Sequence, residues 1–179
     1  MFRGGQMSSQ WERDKLSESR HDAIVELLKS VYEKKGDIVN VIAPKYSLLD
    51  RIKKRPTGDR FYVYREGITI VNRKYKKAPL DIMVYKNGQL HSVWELCNYA
   101  KDSFMLMYKF RRYVDNLTLR NCNRFLVVTS PSNFRMLDYN KSPEENIEWA
   151  ERELAKNKIF LIYWEHQHPI KEQLKGWIE

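Results

Sequence analysis

No run in this 179-residue chain approaches the ~18 consecutive apolar residues that a membrane-crossing helix needs. The opening stretch, MFRGGQMSSQWERDK, lacks the apolar centre of a secretory signal, so the expected location is the cytoplasm. Cysteine is scarce. Cys97 and Cys122 are the two present, too few for a disulfide framework and without the paired spacing of a zinc site, so both are expected as reduced thiols. Seven glycines and six prolines exclude a collagen-like repeat, and the chain holds no internal repeat or low-complexity segment. Acids are the last shortage: 23 Asp and Glu against 32 Lys and Arg leave a formal net charge of +9 at pH 7. The resulting pI near 9.5 suits a polyanionic partner, nucleic acid first and an anionic membrane surface second.

What is present suffices for one core, with 42% hydrophobic and 13% aromatic residues. Residues 1–16 show no sustained period and are read as a flexible leader, and residues 17–179 as a single domain. Ile24, Leu27, Leu28 and Val31 share one stripe at helical spacing, so a helix is expected from Ser17 or Ser19 to Lys35, with Gly36 just beyond it. Asp37 to Ile42 reads as a strand stopped near Pro44, and Lys45 to Arg60 as a basic loop. Phe61–Tyr64 and Ile68–Val71 read as a short hairpin around Glu66-Gly67. A stronger hairpin joins Leu80–Lys86 to Leu90–Leu96 through Asn87-Gly88, a dipeptide that accepts positive φ.

Asp102 to Leu117 turns helical, and Phe125–Thr129 is a continuous apolar strand. Ser142-Pro143-Glu144-Glu145 marks a helix start: serine caps, proline suits the first turn, and the acids favour the positive dipole end. Ile159–Trp164 is a final buried strand before a short helical tail. Strands that follow crossover helices require parallel neighbours and hairpins require antiparallel ones. The fold class is therefore α/β, with a mixed central sheet flanked by helices.

The second hairpin carries the chemistry. Asp81 lies at the start of one strand and Glu95 near the end of the other. With a two-residue turn at Asn87-Gly88, Asp81 faces Trp94 and the acids part; with a three-residue loop 87–89 bulged at Gly88, Asp81 faces Glu95. The second register gathers Leu80, Ile82, Val84, Trp94 and Leu96 on one apolar face and leaves Asp81, Met83, Tyr85, His91, Val93, Glu95 and Cys97 on a mixed one. It is the register expected. Two carboxylates facing each other at ~5 Å repel unless a cation lies between them, and hard oxygen ligands suit Mg²⁺ or Mn²⁺.

Pro79-x-Asp81, a hairpin, Glu95-x-Cys97, then helix, apolar strand, helix and apolar strand resemble the PD-(D/E)xK nuclease superfamily, the restriction-endonuclease-like fold. The style is that of archaeal Holliday-junction resolvases and small viral nucleases, and the likeness covers about Ser17 to Trp164. It implies a metal-dependent endonuclease that hydrolyses phosphodiester bonds in DNA, branched or structured DNA included, in the host cytoplasm if the chain is viral. The implied metal ligands are Asp81, Glu95 and the backbone carbonyl of Leu96, assisted by an acid of the first helix, Glu18 with Asp22 in reserve. Cys97 stands where the family has a lysine, and a neutral thiol supplies no fixed cation. The resemblance then implies either a lysine from the next helix, Lys101 ahead of Lys109, or a nuclease fold that binds nucleic acid with little or no turnover.

Other groups carry weaker signals. The basic runs Lys53-Lys54-Arg55, Arg73-Lys74-Tyr75-Lys76-Lys77 and Lys109–Arg112 can track phosphates, with Tyr46, Phe61, Tyr75 or Tyr113 as stacking surfaces. Cys97 with His91 as its base offers a nucleophile, and Glu165-His166-Gln167-His168 a metal motif. The aromatic helix Ser103–Val114 or a sheet edge offers a homodimer face.

Overall fold

Six strands form one sheet in chain order. They are β1 (Val39–Ile42), β2 (Ile68–Asn72), β3 (Ile82–Lys86), β4 (Gln89–Cys97), β5 (Asn123–Val128) and β6 (Ile159–Tyr163). Helices α1 (Gln10–Lys34), α2 (Pro143–Lys156) and α3 (Ile170–Gln173) accompany them. The computed structural model describes residues 10–44, 62–73, 80–97, 121–165 and 169–177, with side chains from Ser19 onward. β1 pairs with β2, β4 with β5 and β5 with β6 in parallel, while β3 is antiparallel to both neighbours. Every strand except β3 therefore runs the same way. The mixed sheet flanked by helices is as expected.

α1 covers one face of the sheet. Its Ile24 and Leu28, both 0% exposed, meet Ile70, Ile82, Val84, Trp94 and Val127, and burying each such side chain contributes roughly 1.5–3 kcal/mol. Trp94 stacks on Phe125 with ring centroids 4.0 Å apart. α2 covers the other face, where Ala150 and Leu154 pack on Leu126, Val128 and Ile159. Its start is as read from sequence: the Ser142 side chain accepts from the Glu145 N–H, the Glu145 carboxylate accepts from the Ser142 N–H, and Pro143 opens the first turn. Among the described residues no helix is long and apolar enough to cross a membrane.

Several expectations are corrected. α1 begins at Gln10, inside the segment read as a leader, because Gln10–Leu16 are helix formers without glycine or proline. The Phe61–Tyr64 hairpin strand is absent over Tyr62–Tyr64, and β2 pairs instead with β1. Gly67, at φ +75°, turns the chain so that the Ile68 N–H reaches the Ile38 carbonyl at 2.8 Å. β6 ends one residue earlier than expected, at Tyr163. The mixed face opposite α1 is buried at its centre, with Met83 at 8% and Val93 at 1% exposure, while Tyr85, His91 and Cys97 are half-buried. Leu80 joins that face, packing with Val71, Met83 and Val93, because β3 starts only at Ile82 and alternation does not extend back through the bend at Asp81. The helix expected at 102–117, with its dimer face, and the loop 45–60 lie outside the described residues.

The register at Ile82, the residue after Asp81, is the expected one, reached by another route. Asn87 (φ 50°) and Gly88 (φ 80°) form a two-residue turn, and Lys86 pairs with Gln89 and Tyr85 with Leu90. A bulge then places His91 as an extra residue, after which Val84 pairs with Ser92 and Ile82 with Trp94. Continued one step, this ladder brings Asp81 level with Glu95.

Candidate active site at the carboxyl ends of the strands

One end of the sheet collects polar side chains that the chain order scatters. Asn72 closes β2, Asp81 precedes β3, Glu95-Leu96-Cys97 close β4, Thr129 follows β5 and Trp164 follows β6. Because β2, β4, β5 and β6 run the same way, these are the carboxyl ends of parallel strands, where open α/β sheets bind ligands. α1 lays two consecutive buried polar residues, Arg20 and His21, against this end.

Asp81 is the most constrained of the acids. Its carboxylate Oδ2 accepts the Leu96 N–H at 2.7 Å, and its own carbonyl accepts the Arg73 N–H at 2.8 Å. The 2.7 Å length is that of a charge-assisted hydrogen bond. Strict alternation would turn Asp81 away from α1 with Met83, but the bend before β3 carries the carboxylate to the sheet end, where Oδ1 lies 3.6 Å from His21 Nε2. The side chains of His21 and Asp81 are 6% and 25% exposed, so the contact is largely withdrawn from water on the histidine side.

The hydrogen bonds behind His21 orient its ring. Asn72 Nδ2 donates to Asp22 Oδ1 at 3.4 Å, which leaves Asn72 Oδ1 to accept from His21 Nδ1 at 3.3 Å. Nδ1 thus points at Asn72, and the Nε2 edge of the ring faces Asp81. Arg20 diverges to the far side of β4: Nη1 donates to Thr129 Oγ1 at 3.1 Å, and the guanidinium lies 5.7 Å from the Trp164 ring centroid. Arg20 and His21 thus straddle the end of β4, one at β5 and the other at β3.

Glu95 is 8% exposed, unusually buried for a carboxylate, which in a protein interior needs hydrogen bonds, a counter-charge or a metal. It alternates with Trp94 and Leu96, which pack toward α1, so its side chain leaves the sheet on the face of Val93 and Cys97. Among the described residues no group of three or more His, Cys, Asp and Glu gathers as a ready cage. Mg²⁺ and Mn²⁺ do not require one: Mg²⁺ is commonly held by one or two carboxylates, with water and substrate oxygens completing the shell. Asp81 and Glu95, with the Leu96 carbonyl, are the groups at this end of the sheet that could supply such ligands, the Asp81 carboxylate turned toward His21 on α1 and Glu95 leaving on the opposite face.

Of the remaining expected site residues, Glu18 lies on α1 with only its backbone described, and Lys101, Lys53, Lys54, Arg55, Lys74, Lys76 and Lys77 lie outside the described residues. Arg73 is half-buried directly after β2. Cys97 is a half-buried cysteine outside any disulfide, packed with the α2-side core. His91 cannot act as its base, because six strand residues at ~3.3 Å each separate the two by about 20 Å. His166 and His168 lie outside the described residues.

Arg20, His21 and Asn72 were not singled out as site residues from the sequence. The available signal was positional: His21 occupies the same helical stripe as Ile24 and Leu28, a polar residue where the pattern requires an apolar one. No protein-family model, curated protein or solved structure matches this chain.

Proposed function

We propose that this protein is a metal-dependent nuclease of the restriction-endonuclease-like kind that cleaves phosphodiester bonds in DNA. The observation that carries the reading is the placement of Asp81: its carboxylate is fixed by the Leu96 N–H, level with Glu95, at the carboxyl ends of the parallel strands. The net charge of +9 supports a nucleic-acid substrate.

Asp81, Glu95 and the Leu96 carbonyl are the groups that would hold Mg²⁺ or Mn²⁺. Such an ion, when bound, polarises a phosphoryl oxygen and lowers the pKa of a bound water. The chain's own contribution is orientation and charge. The Leu96 N–H restricts the Asp81 carboxylate, with the His21 ring packed beside it, and a restricted ligand loses less freedom on binding. Arg20 holds a permanent positive charge one strand away from Cys97, where the resembling family carries a lysine; Lys101 is the further candidate for that charge.

Cleavage of branched, single-stranded and duplex DNA with Mg²⁺ or Mn²⁺ tests this directly. Asp81→Ala and Glu95→Ala are expected to abolish cleavage while leaving the thermal unfolding transition cooperative. Equal cleavage by wild type and variants rejects the assignment. A second reading, a nuclease fold that binds nucleic acid without turnover, is favoured by the half-buried neutral Cys97 at the lysine position. Salt-dependent DNA binding without cleavage, and cleavage gained in Cys97→Lys, would select it.

A further inference from the structure

The opposite end of the sheet holds a second polar recess. Where β5 and β6 begin, Asn121, Asn123, Arg124 and Lys158 line a pocket of about 330 Å³ whose apolar wall includes Ala155 and Phe160. No carboxylate is among its lining residues within the described chain. Arg124 is 6% exposed, held between β4 and β6 where it pairs with Val93 and Ile159, both buried. Its Nε and Nη1 are shielded from solvent and make no hydrogen bond.

The neighbouring carbonyls do not answer this charge. The end of α2 would be the natural acceptor for a cation, but the Glu153, Leu154 and Ala155 carbonyls already accept from Asn157 and Lys158: Asn157 Nδ2 reaches Glu153 at 2.7 Å, the Asn157 N–H reaches Glu153 and Leu154 at 3.1 Å, and the Lys158 N–H reaches Ala155 at 2.9 Å. A buried guanidinium with two nitrogens lacking acceptors is costly to the folded state. An oxyanion offsets that cost best, since guanidinium and phosphate geometries match.

We propose that this recess is a phosphate-binding site, with Arg124 and Lys158 as its cations and Asn121 and Asn123 as its amide donors. It is independent of the Asp81 and Glu95 reading, because it sits at the other end of the strands and uses none of the same residues. The phosphoryl group can be free phosphate or the terminal phosphate of a nucleic acid.

The test is calorimetry and thermal unfolding of the full chain with inorganic phosphate, with sodium chloride at matched ionic strength as control. A short oligonucleotide with and without its 5′-phosphate then separates the two sources: a preference for the phosphorylated form assigns the site to nucleic-acid ends, and equal binding assigns it to free phosphate. Phosphate is expected to raise the unfolding temperature saturably, and Asp81→Ala to leave that rise intact. Arg124→Met is expected to abolish the rise while unfolding no earlier than wild type without phosphate. Lys158→Ala, at an exposed position, is expected to weaken binding about tenfold. No phosphate response in the wild type, or a response and affinity unchanged in both Arg124→Met and Lys158→Ala, overturns the proposal.

Discussion

His21 Nε2 lies 3.6 Å from Asp81 Oδ1, across a contact that joins α1 to the hairpin acid. The separation exceeds that of a hydrogen bond, and Nδ1 points to Asn72 on the far side of the ring. His21 is therefore held by Asn72 and faces Asp81. Under the proposed metal-site reading it acts as a positioning residue, and its buried ring shields one side of the carboxylate from water.

His21→Ala tests that role. The ring's loss removes its hydrogen bond to Asn72 Oδ1, at a cost of about 1 kcal/mol in stability. If His21 orients Asp81 for a metal, Mn²⁺ affinity measured by calorimetry falls about 10–100-fold as well, the usual cost of losing a group that orients a ligand. A stability loss with unchanged Mn²⁺ affinity identifies His21 as structural only.

Gly67 makes the parallel pairing of β1 with β2 possible, and the reason is steric as well as conformational. Its φ is +75°, and a Cβ there would lie 2.4 Å from the Ile38 carbonyl oxygen. Gly36 has a similar φ of +84° with nothing within 4 Å of the same added atom. Gly36→Ala is therefore expected to cost the left-handed backbone penalty of about 1–2 kcal/mol alone. Gly67→Ala adds displacement of the Ile38 backbone and the Ile68 hydrogen bond, for a total of about 3 kcal/mol or more. Paired urea titrations measure the difference, and equal losses would show that the Ile38 contact yields without cost.

The sequence made the level of Asp81 against Glu95 legible because one register alone collects Ile82, Val84, Trp94 and Leu96 on a single face. It did not reveal how that register arises. Asn87-Gly88 suits a two-residue turn, and a bulge at His91 carries no local signature, since any residue can occupy it. The Ser142 cap was legible for the opposite reason: every participant lies within four residues. The Phe61–Tyr64 pairing failed because local alternation suggests a nearby partner, whereas Ile68 pairs with Val39 across a long connection. The same limit hid His21 and Asn72, which meet 51 residues apart. Arg20 and Thr129 meet 109 residues apart, a contact that no spacing rule reaches.

His91, the extra residue of the bulge, gives the hairpin a pH dependence of known sign. Its pKa is lowered from 6.5, first by burial and then by the charges of Lys86 and Lys35. The folded state thus resists a proton that the unfolded chain accepts. The stabilising contribution is fully present above pH 6.5 and is lost as pH falls from there through the lower folded-state value. The ring is roughly half exposed, so water and the counter-ions around Lys86 screen the effect and keep it small. Urea midpoints at about pH 7.5 and about pH 5.5 give the wild-type slope, and the same pair for His91→Gln, which stays neutral at both, gives the slope without this group. The variant is expected to lose less stability on acidification. An identical fall in both proteins would show that His91 is as easily protonated in the fold as in the unfolded chain, and that the bulge holds it in water.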